Sequence, residues 1–397
     1  MKKRLLASCI GLMVLSPSAF ADIHFSGFLT AAGGQIIDDD DGAITSYEGY
    51  DSKFNTKPET KLGLQIRSDI TEKITAEGQL LSKGIDDFDT ELEWVYMSYH
   101  ISPYWMARVG RLKSPFFMYS DYLDVGYAYP WIRPPSQTYL DTRFSAFQGV
   151  DTVFDKNFGN WATTFQFHLG RVQDELETPI GTVERDVDFM AGFNVTAVYD
   201  YWLTFNATYR GARFKASSPQ QLQDLIDGLK SFGDSPATGN EQGYPAADAI
   251  NVENEFAAFY SFATVIDLEK WLMIAEYTVF DVKDQSTLED HDSYYFTLGY
   301  KLDSALVHLT YNYGEEKPDY SFITSGLPAG LQGGLYNAVG PATKKTDITL
   351  GARFDLMTNT AFKVELTRFN VETISNPASA GSDLDGLLLS TSVDVVF

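Results

Sequence analysis

The stretch GLLLSTSVDVVF, residues Gly386–Phe397, alternates between two unlike faces. One face carries Leu387, Leu389, Thr391, Val393, Val395 and Phe397. Because successive side chains of a strand point to opposite sides, this period of two predicts a β-strand with one apolar face. The strand is expected to run to the terminal phenylalanine.

The same period of two recurs along almost the whole chain after the first 21 residues. In Lys61–Ile70, for example, Leu64 and Ile66 fall on one face, while Gln65 and Arg67 fall on the other. The predicted strands lie near residues 23–32, 61–70, 74–81, 91–101, 105–112, 147–155, 161–170, 187–199, 202–213, 251–266, 270–281, 293–302, 305–314, 345–356, 361–371 and 386–397. The pattern predicts an all-β fold of about sixteen strands.

The connections between these strands alternate strictly between short and long. Short turns such as Thr71–Lys73 and Asp303–Ser304 alternate with long loops such as 33–60, 113–146 and 214–250. A soluble sandwich has no reason to keep all its long loops at one end, whereas an outer-membrane barrel has short periplasmic turns and long external loops. We therefore predict a transmembrane antiparallel β-barrel of about 16 strands, whose apolar face meets lipid.

Residues 1–21 combine a basic start, an apolar run and small residues before the mature sequence. This pattern predicts a signal peptide that is cleaved after Ala21, leaving 22–397 as a single barrel domain. Lipoprotein processing at Cys9 is the alternative, but too few apolar residues separate Arg4 from Cys9. Removing the leader also removes the only cysteine, which excludes thiol chemistry.

The chain is strongly acidic, with 54 Asp and Glu against 30 Lys and Arg, for a formal charge of −24. Loss of Lys2, Lys3 and Arg4 with the leader changes this charge to −27. Such acidity argues against a nucleic-acid partner, since phosphate binding requires the opposite sign.

Most acidic residues fall on predicted external loops: Asp38 to Asp41, Asp86, Asp87, Asp89, Glu315, Glu316, Asp383 and Asp385. Their field would concentrate cations at the mouth of a channel, so we predict a weak cation preference. The run Asp38–Asp41 is either a solvated acidic loop or a cluster that binds Ca²⁺ or bridges to lipopolysaccharide through divalent ions. No resident metal and no cofactor are predicted, and zinc-type spacing of His and Cys is absent from the sequence.

The leader, the alternation of turns and loops, the terminal Phe397 and the long third loop together resemble the porin family of Gram-negative outer membranes. The stretch Gly110–Phe116, GRLKSPF, is similar to the start of the third loop in several porin branches, including phosphate-type porins. The P-E-F-G-G pattern of enterobacterial general porins is absent from the loop. The resemblance implies an outer-membrane location, a homotrimer, and a role for Phe397 in barrel assembly. It also implies a third loop, 113–146, that folds into the lumen and narrows it.

The third loop is rich in aromatic residues and prolines and has no period of its own. So many rings are expected to pack against a surface, and the barrel wall is the surface available. We predict that Phe116, Phe117 and Trp131 anchor the loop to the wall. The alternative is a stacking track for sugars or aromatic acids.

Strand parity also predicts which charged side chains face the lumen. The predicted pore constriction consists of wall residues Arg67, Arg108, Arg210, Arg353 and Lys363 and of loop residues Asp121, Asp124, Arg133 and Asp141. A cationic wall that faces an acidic loop would set a transverse field across an aqueous channel. The alternative is that these residues are ordinary lumenal charges.

The sequence therefore predicts a water-filled channel for passive diffusion of small hydrophilic solutes and ions. Two alternatives stay open: a substrate-specific channel for a sugar, an aromatic acid or an anion, and an adhesin or receptor that binds through loops such as 214–250. No catalytic residues are predicted, because the sequence contains no Gly-x-Ser-x-Gly elbow. The expected partners are outer-membrane lipid, lipopolysaccharide, the barrel-assembly machinery and further copies of the chain.

Overall fold

The computed structural model describes residues 22–39, 46–139, 146–178, 181–235, 242–282 and 289–397, without the side chains of Asp39 and residues 174–185. The proposed leader and Asp141 lie outside these ranges. The strands are β1 (Asp22–Asp39), β2 (Lys61–Thr71), β3 (Ile74–Lys83), β4 (Thr90–Ser102), β5 (Trp105–Lys113), β6 (Ala146–Phe158), β7 (Trp161–Thr178), β8 (Gly181–Tyr199), β9 (Leu203–Ala216), β10 (Glu255–Asp267), β11 (Trp271–Val282), β12 (Asp290–Lys301), β13 (Leu306–Lys317), β14 (Thr343–Met357), β15 (Thr360–Thr373) and β16 (Ser382–Val396). Each corresponds to one predicted strand.

Every strand pairs with its sequence neighbours in antiparallel register, and β1 pairs with β16 to close the barrel. At the seam, Gly27 N–H donates to the carbonyl oxygen of Phe397 (2.8 Å), and Phe397 N–H donates to that of Gly27 (2.9 Å). The Phe397 ring lies so close to Gly27 that a Cβ there would be 2.7 Å from it. Glycine at this position therefore allows the terminal ring to cover the seam. The predicted fold, a closed antiparallel barrel, is confirmed.

The two faces of the wall differ as the period of two requires. On β16, outward-facing Leu389 and Val393 are 41% and 37% exposed, whereas inward-facing Ser390 and Ser392 are each 1% exposed. The exposed apolar side chains recur on the outer face of the other strands and form an apolar belt around the barrel. An apolar outer belt and a polar interior are the arrangement of a barrel that sits in a bilayer.

Two long loops contain helices that the strand pattern did not predict. These are α1 (Gln220–Gly233) and α2 (Gly243–Ala249) between β9 and β10, and α3 (Ala329–Val339) between β13 and β14. Their apolar faces form one cluster that includes Leu229, Ala246 and Leu335. We call α1, α2 and α3 the helical cap. Within the described part of the chain, no helix is both long and apolar enough to cross a membrane.

The predicted loop 171–186 is largely a strand extension, since β7 and β8 continue to Thr178 and from Gly181. Their pairing passes through Val172 opposite Val187 and Gln173 opposite Asp186. Backbone hydrogen bonds hold such a hairpin, and neither strand needs an apolar face. Its polar sequence therefore lacks the alternation of apolar and polar residues that predicts a strand. β1 likewise runs beyond its predicted end to Asp39.

Adjacent positions on β2 test the assignment of the two faces. Leu64 lies in the apolar belt, and Gln65 faces the lumen, where its amide is 3.5 Å from Glu77. In lipid vesicles, Leu64→Arg should lower the free energy of unfolding by about 2–4 kcal/mol, the cost of arginine near the bilayer midplane. Gln65→Arg should change it by less than about 1 kcal/mol, because the lumen is polar. Urea unfolding followed by tryptophan fluorescence measures both, and equal losses would contradict the assignment.

Candidate functional site

Loop three leaves the wall at the end of β5, where Gly110 adopts a φ of +143°. A Cβ at Gly110 would lie 2.4 Å from the Val95 carbonyl oxygen, so only glycine permits this close approach of β5 to β4. Nearby, Arg111 Nε donates to the Glu93 carbonyl oxygen at 2.8 Å. The Gly110–Phe116 motif therefore builds the point at which the chain turns inward.

Residues 114–139 fold into the lumen, which confirms the predicted path of loop three. Phe116 and Phe117 meet the ring of Phe259 on β10 edge to face, at centroid distances of 5.0 and 5.3 Å. Trp131 Nε1 donates to Thr310 Oγ1 at 2.9 Å, and the Trp131 indole is only 1% exposed. The three residues proposed as anchors thus lie between loop three and the inner wall.

Buried carboxylates on the wall accept hydrogen bonds from the backbone and side chains of loop three. Glu276 on β11 accepts from Met118 N–H at 3.0 Å and from the Tyr139 hydroxyl at 2.7 Å. Glu365 on β15 accepts from Ile132 N–H at 2.8 Å. Since a buried polar group is costly unless it is hydrogen-bonded, these contacts fix the loop as well as the two carboxyl groups.

Buried cations bind the carbonyl groups of the same loop. Lys363 Nζ donates to the carbonyl oxygens of Gly126 (2.6 Å) and Trp131 (2.5 Å) and lies 3.1 Å from Asp394 Oδ2. Arg353 Nη1 donates to the Tyr127 carbonyl oxygen at 2.7 Å. Lys363 is 0% exposed, so the prediction that it faces the channel is wrong. Strand parity placed it inside the barrel but gave no information about the loop that covers it.

Asp124 was also expected to face the channel, and it is instead buried against the wall. Its Oδ2 lies 3.1 Å from Lys113 Nζ, and its Oδ1 lies 3.9 Å from Lys61 Nζ. Burial acts to raise the pKa of Asp124, but the two ammonium groups outweigh it and hold this pKa well below its ordinary value. Asp124 is therefore ionised and ties loop three to β2 and β5.

A second loop also folds inward, and the sequence reasoning missed it. In loop one, residues 46–60, Tyr47 stacks on Phe369 of β15 at a centroid distance of 3.8 Å. Glu59 of the same loop accepts a hydrogen bond from Arg133 Nη1 at 3.0 Å, and Arg133 lies over the Tyr50 ring. Arg133 is thus held by loop one. The prediction that it faces the channel freely is wrong. Tyr47 and Tyr50, two aromatic residues within a polar loop, are the sequence feature that could have predicted this inward fold.

The wall arginines do not form the cationic surface that parity suggested. Arg108 donates to both carboxylate oxygens of Asp151, with 2.8 Å between Nε and Oδ1. Arg67 lies 3.1 Å from Asp69 and 3.8 Å from Glu77. Each arginine is therefore neutralised by carboxylates on its own or the adjacent strand.

Arg210 is a further correction, because it is 2% exposed and does not reach the channel. Its guanidinium lies 3.8 Å from the centroid of the Phe116 ring, and its Nε donates to His168 Nε2 at 3.1 Å. A cation over an aromatic face is electrostatically favourable, and the loop-three ring shields it from water. Arg353 is likewise mostly shielded by loop three, with its side chain 14% exposed and 2.9 Å from Asp355.

One predicted acidic residue does face water. Asp121 is exposed and forms no hydrogen bond or ion pair with the described residues. Asp121 lies on the part of loop three that folds into the lumen, and the Arg108 side chain is 18% exposed on the inner wall. We call the space between Asp121 and the Arg108–Asp151 wall the passage.

The structure offers no metal centre among the residues it describes. No group of three or more His, Cys, Asp or Glu side chains is placed to hold an ion there. Asp40 and Asp41 of the acidic run Asp38–Asp41 lie outside the described ranges, so Ca²⁺ binding at that run stays a hypothesis.

Comparison with known proteins supports the fold through structure alone. No protein-family model matches the sequence, and no curated protein sequence matches it. The outer-membrane channel DcaP of Acinetobacter baumannii superimposes with a TM-score of 0.60 at 12% identity, covering 96% of this chain and 99% of that chain. The anion-selective porin from Comamonas acidovorans gives 0.55 at 12% identity, with 95% and 100% covered. The trimer form of OmpT, an outer-membrane protein of Vibrio cholerae, gives 0.54 at 12% identity, with 94% and 99% covered. The chain therefore has the barrel fold of these outer-membrane proteins.

Gly126 tests how loop three is docked. A Cβ at Gly126 would lie 2.2 Å from Asp394 Oδ1 and 2.7 Å from Thr30 Oγ1. Gly126→Val should therefore push the loop away from β1 and β16 and raise amide hydrogen exchange across residues 114–139 by about tenfold or more. Gly330→Val in the helical cap is the matched control, since nothing lies within 4 Å of a Cβ there. Unchanged exchange in Gly126→Val would show that the loop is not held at this position.

Proposed function

We propose that the protein is an outer-membrane porin, a water-filled channel for the passive diffusion of small hydrophilic solutes and ions. The observation that supports this proposal is that loop three folds into the polar interior of a closed barrel whose outer face is apolar. A loop fixed inside such a lumen narrows the aqueous route through the barrel without blocking it. The similarity to a channel and a porin from other bacteria agrees with this function.

We propose a weak preference for cations. The charges of Arg108, Arg67 and Lys363 are each balanced by a carboxylate within 4 Å, so they give the lumen little net positive charge. Asp121 has no such partner among the described residues and adds a negative charge at the passage. Acidic residues on the long loops, such as Asp86, add the same sign at the mouth.

The similarity of Gly110–Phe116 to phosphate-type porins is not carried over to anion binding. Lys113, the cation in this motif, is engaged by Asp124 at 3.1 Å and Glu93 at 3.8 Å. Arg111 hydrogen-bonds a backbone carbonyl. These contacts support a role of the motif in forming loop three.

Location and assembly follow from the same proposal. Residues 1–21 would direct export, and the apolar belt would contact outer-membrane lipid and lipopolysaccharide. Phe397, which is 62% exposed at the seam, would contribute to recognition by the barrel-assembly machinery. We propose a homotrimer, since one structurally similar protein is described in a trimer form.

Planar-bilayer recording of the purified protein tests the proposal. We expect a stable conductance that rises in proportion to salt concentration, with a reversal potential in a KCl gradient that indicates modest K⁺ preference. A current that one solute saturates and blocks would favour a specific channel. Absence of conductance would contradict both channel functions and leave the receptor alternative.

Asp121→Asn tests the origin of the charge preference. A unit charge about 8 Å from a permeating ion contributes ~0.5 kcal/mol in water, and screening over one Debye length reduces this to about 0.2 kcal/mol. Because the sign is opposite for K⁺ and Cl⁻, removal of the charge should lower the K⁺/Cl⁻ permeability ratio by about twofold. Glu269→Gln removes one exposed carboxylate at a short turn and should leave the ratio unchanged. The reversal potential measures both, and equal shifts would place selectivity outside the passage.

A further inference from the structure

A cavity of about 580 Å³ lies between loop three and the wall at the short-turn end of the barrel. Its lining includes none of the residues that define the passage. The wall side carries Val265, Leu272, Ile274 and Leu306 at inward positions of β10, β11 and β13, where a water-filled lumen is normally polar. Polar and charged residues of β9, β12, β14 and a short turn complete the lining. A cavity of this volume, with apolar residues beside a few polar groups, is typical of a small-molecule site.

Loop three supplies the opposite side of the cavity with aromatic rings. Tyr119 and Tyr122 meet edge to face at a centroid distance of 5.6 Å, and both line the cavity. Neither hydroxyl forms a hydrogen bond with the described residues, whereas the Tyr129 hydroxyl donates to the Leu123 carbonyl oxygen at 2.9 Å. Two phenol groups are therefore available for hydrogen bonds to a ligand.

The two cations that line the cavity are each paired with a carboxylate. Arg353 Nη2 lies 2.9 Å from Asp355 Oδ1, and Lys301 Nζ pairs with Asp267. The remaining charged residue of the lining is Asp303, whose exposed carboxylate forms no hydrogen bond or ion pair with the described residues. An anionic ligand would therefore lose hydration on entering the cavity without finding an unpaired cation, which is unfavourable.

We propose that this cavity is a binding site for small aromatic solutes that carry no negative charge. An aromatic ring fits between the Tyr119–Tyr122 pair and the apolar wall, and a hydroxyl or amide on the ring hydrogen-bonds the phenol groups. This inference rests on the proposed porin function, since such solutes reach the site through the channel. Among the solutes that could pass through the porin, the inference identifies aromatic ones as those that the cavity would bind.

Equilibrium binding of benzamide to the purified full chain in detergent tests the site, with protein-free micelles as the blank. Benzoate and cyclohexanecarboxamide change the charge or the aromaticity at similar size. We expect saturable benzamide binding at least fivefold tighter than that of either compound. Equal or weaker binding of benzamide would overturn the proposal.

Tyr122→Ala removes an aromatic ring that is 38% exposed, so the barrel should fold without it. It should weaken benzamide binding by about fivefold, as loss of an aromatic contact does. Tyr201→Ala is the control, because Tyr201 is 95% exposed at a short turn outside the cavity. Equal binding by both variants would overturn the proposal.

The same preparation in a planar bilayer separates this inference from the porin proposal, because binding in detergent needs no current. Benzamide binding without conductance would support the site and contradict the porin. Conductance without benzamide binding would support the porin and overturn the site.

Discussion

Lys363 carries a positive charge that is fully buried inside the barrel, and the path of loop three follows from the need to solvate that charge. The carbonyl oxygens of Gly126 and Trp131 replace water around its ammonium group, and Asp394 balances its charge. Removing such partners leaves an uncompensated buried charge, which is strongly destabilising. Glu276 and Glu365 impose a related requirement, because a buried carboxyl group is costly without hydrogen bonds and both accept them from loop-three N–H groups. Loop three is thus fixed by the wall and is not a flexible gate.

This arrangement also determines which charges remain available to a permeating ion. Lys363 and Arg353 are occupied by loop three, Arg133 by loop one, and Arg108 by Asp151. Under the proposed porin function, the exposed carboxylate of Asp121 would set the sign of the field in the passage. Basic residues inside a lumen therefore do not by themselves indicate an anion channel.

The sequence predicted the sixteen strands and the side of the wall on which each residue lies, because both follow from a period of two. It did not predict burial, since covering by loop three depends on strand register and on contacts between distant residues. Arg210 and Lys363 face inward as parity requires, yet Phe116 and Trp131 shield them. Asp121 and Asp124 are three residues apart in one loop, and only the structure separates the exposed carboxylate from the buried one. Only Tyr47 and Tyr50, two aromatic residues in the sequence of loop one, indicated weakly that this loop folds inward.

Thiol accessibility in the open channel tests most directly whether water passes on the Asp121 side of loop three. The only cysteine of the sequence is Cys9 in the proposed leader, so single-cysteine variants need no background removal. We expect a negatively charged methanethiosulfonate reagent to reduce the single-channel current of Asp121→Cys in discrete steps. Ser392→Cys should not respond, because Ser392 is 1% exposed on the inner wall. A current change in Ser392→Cys with none in Asp121→Cys would contradict the account.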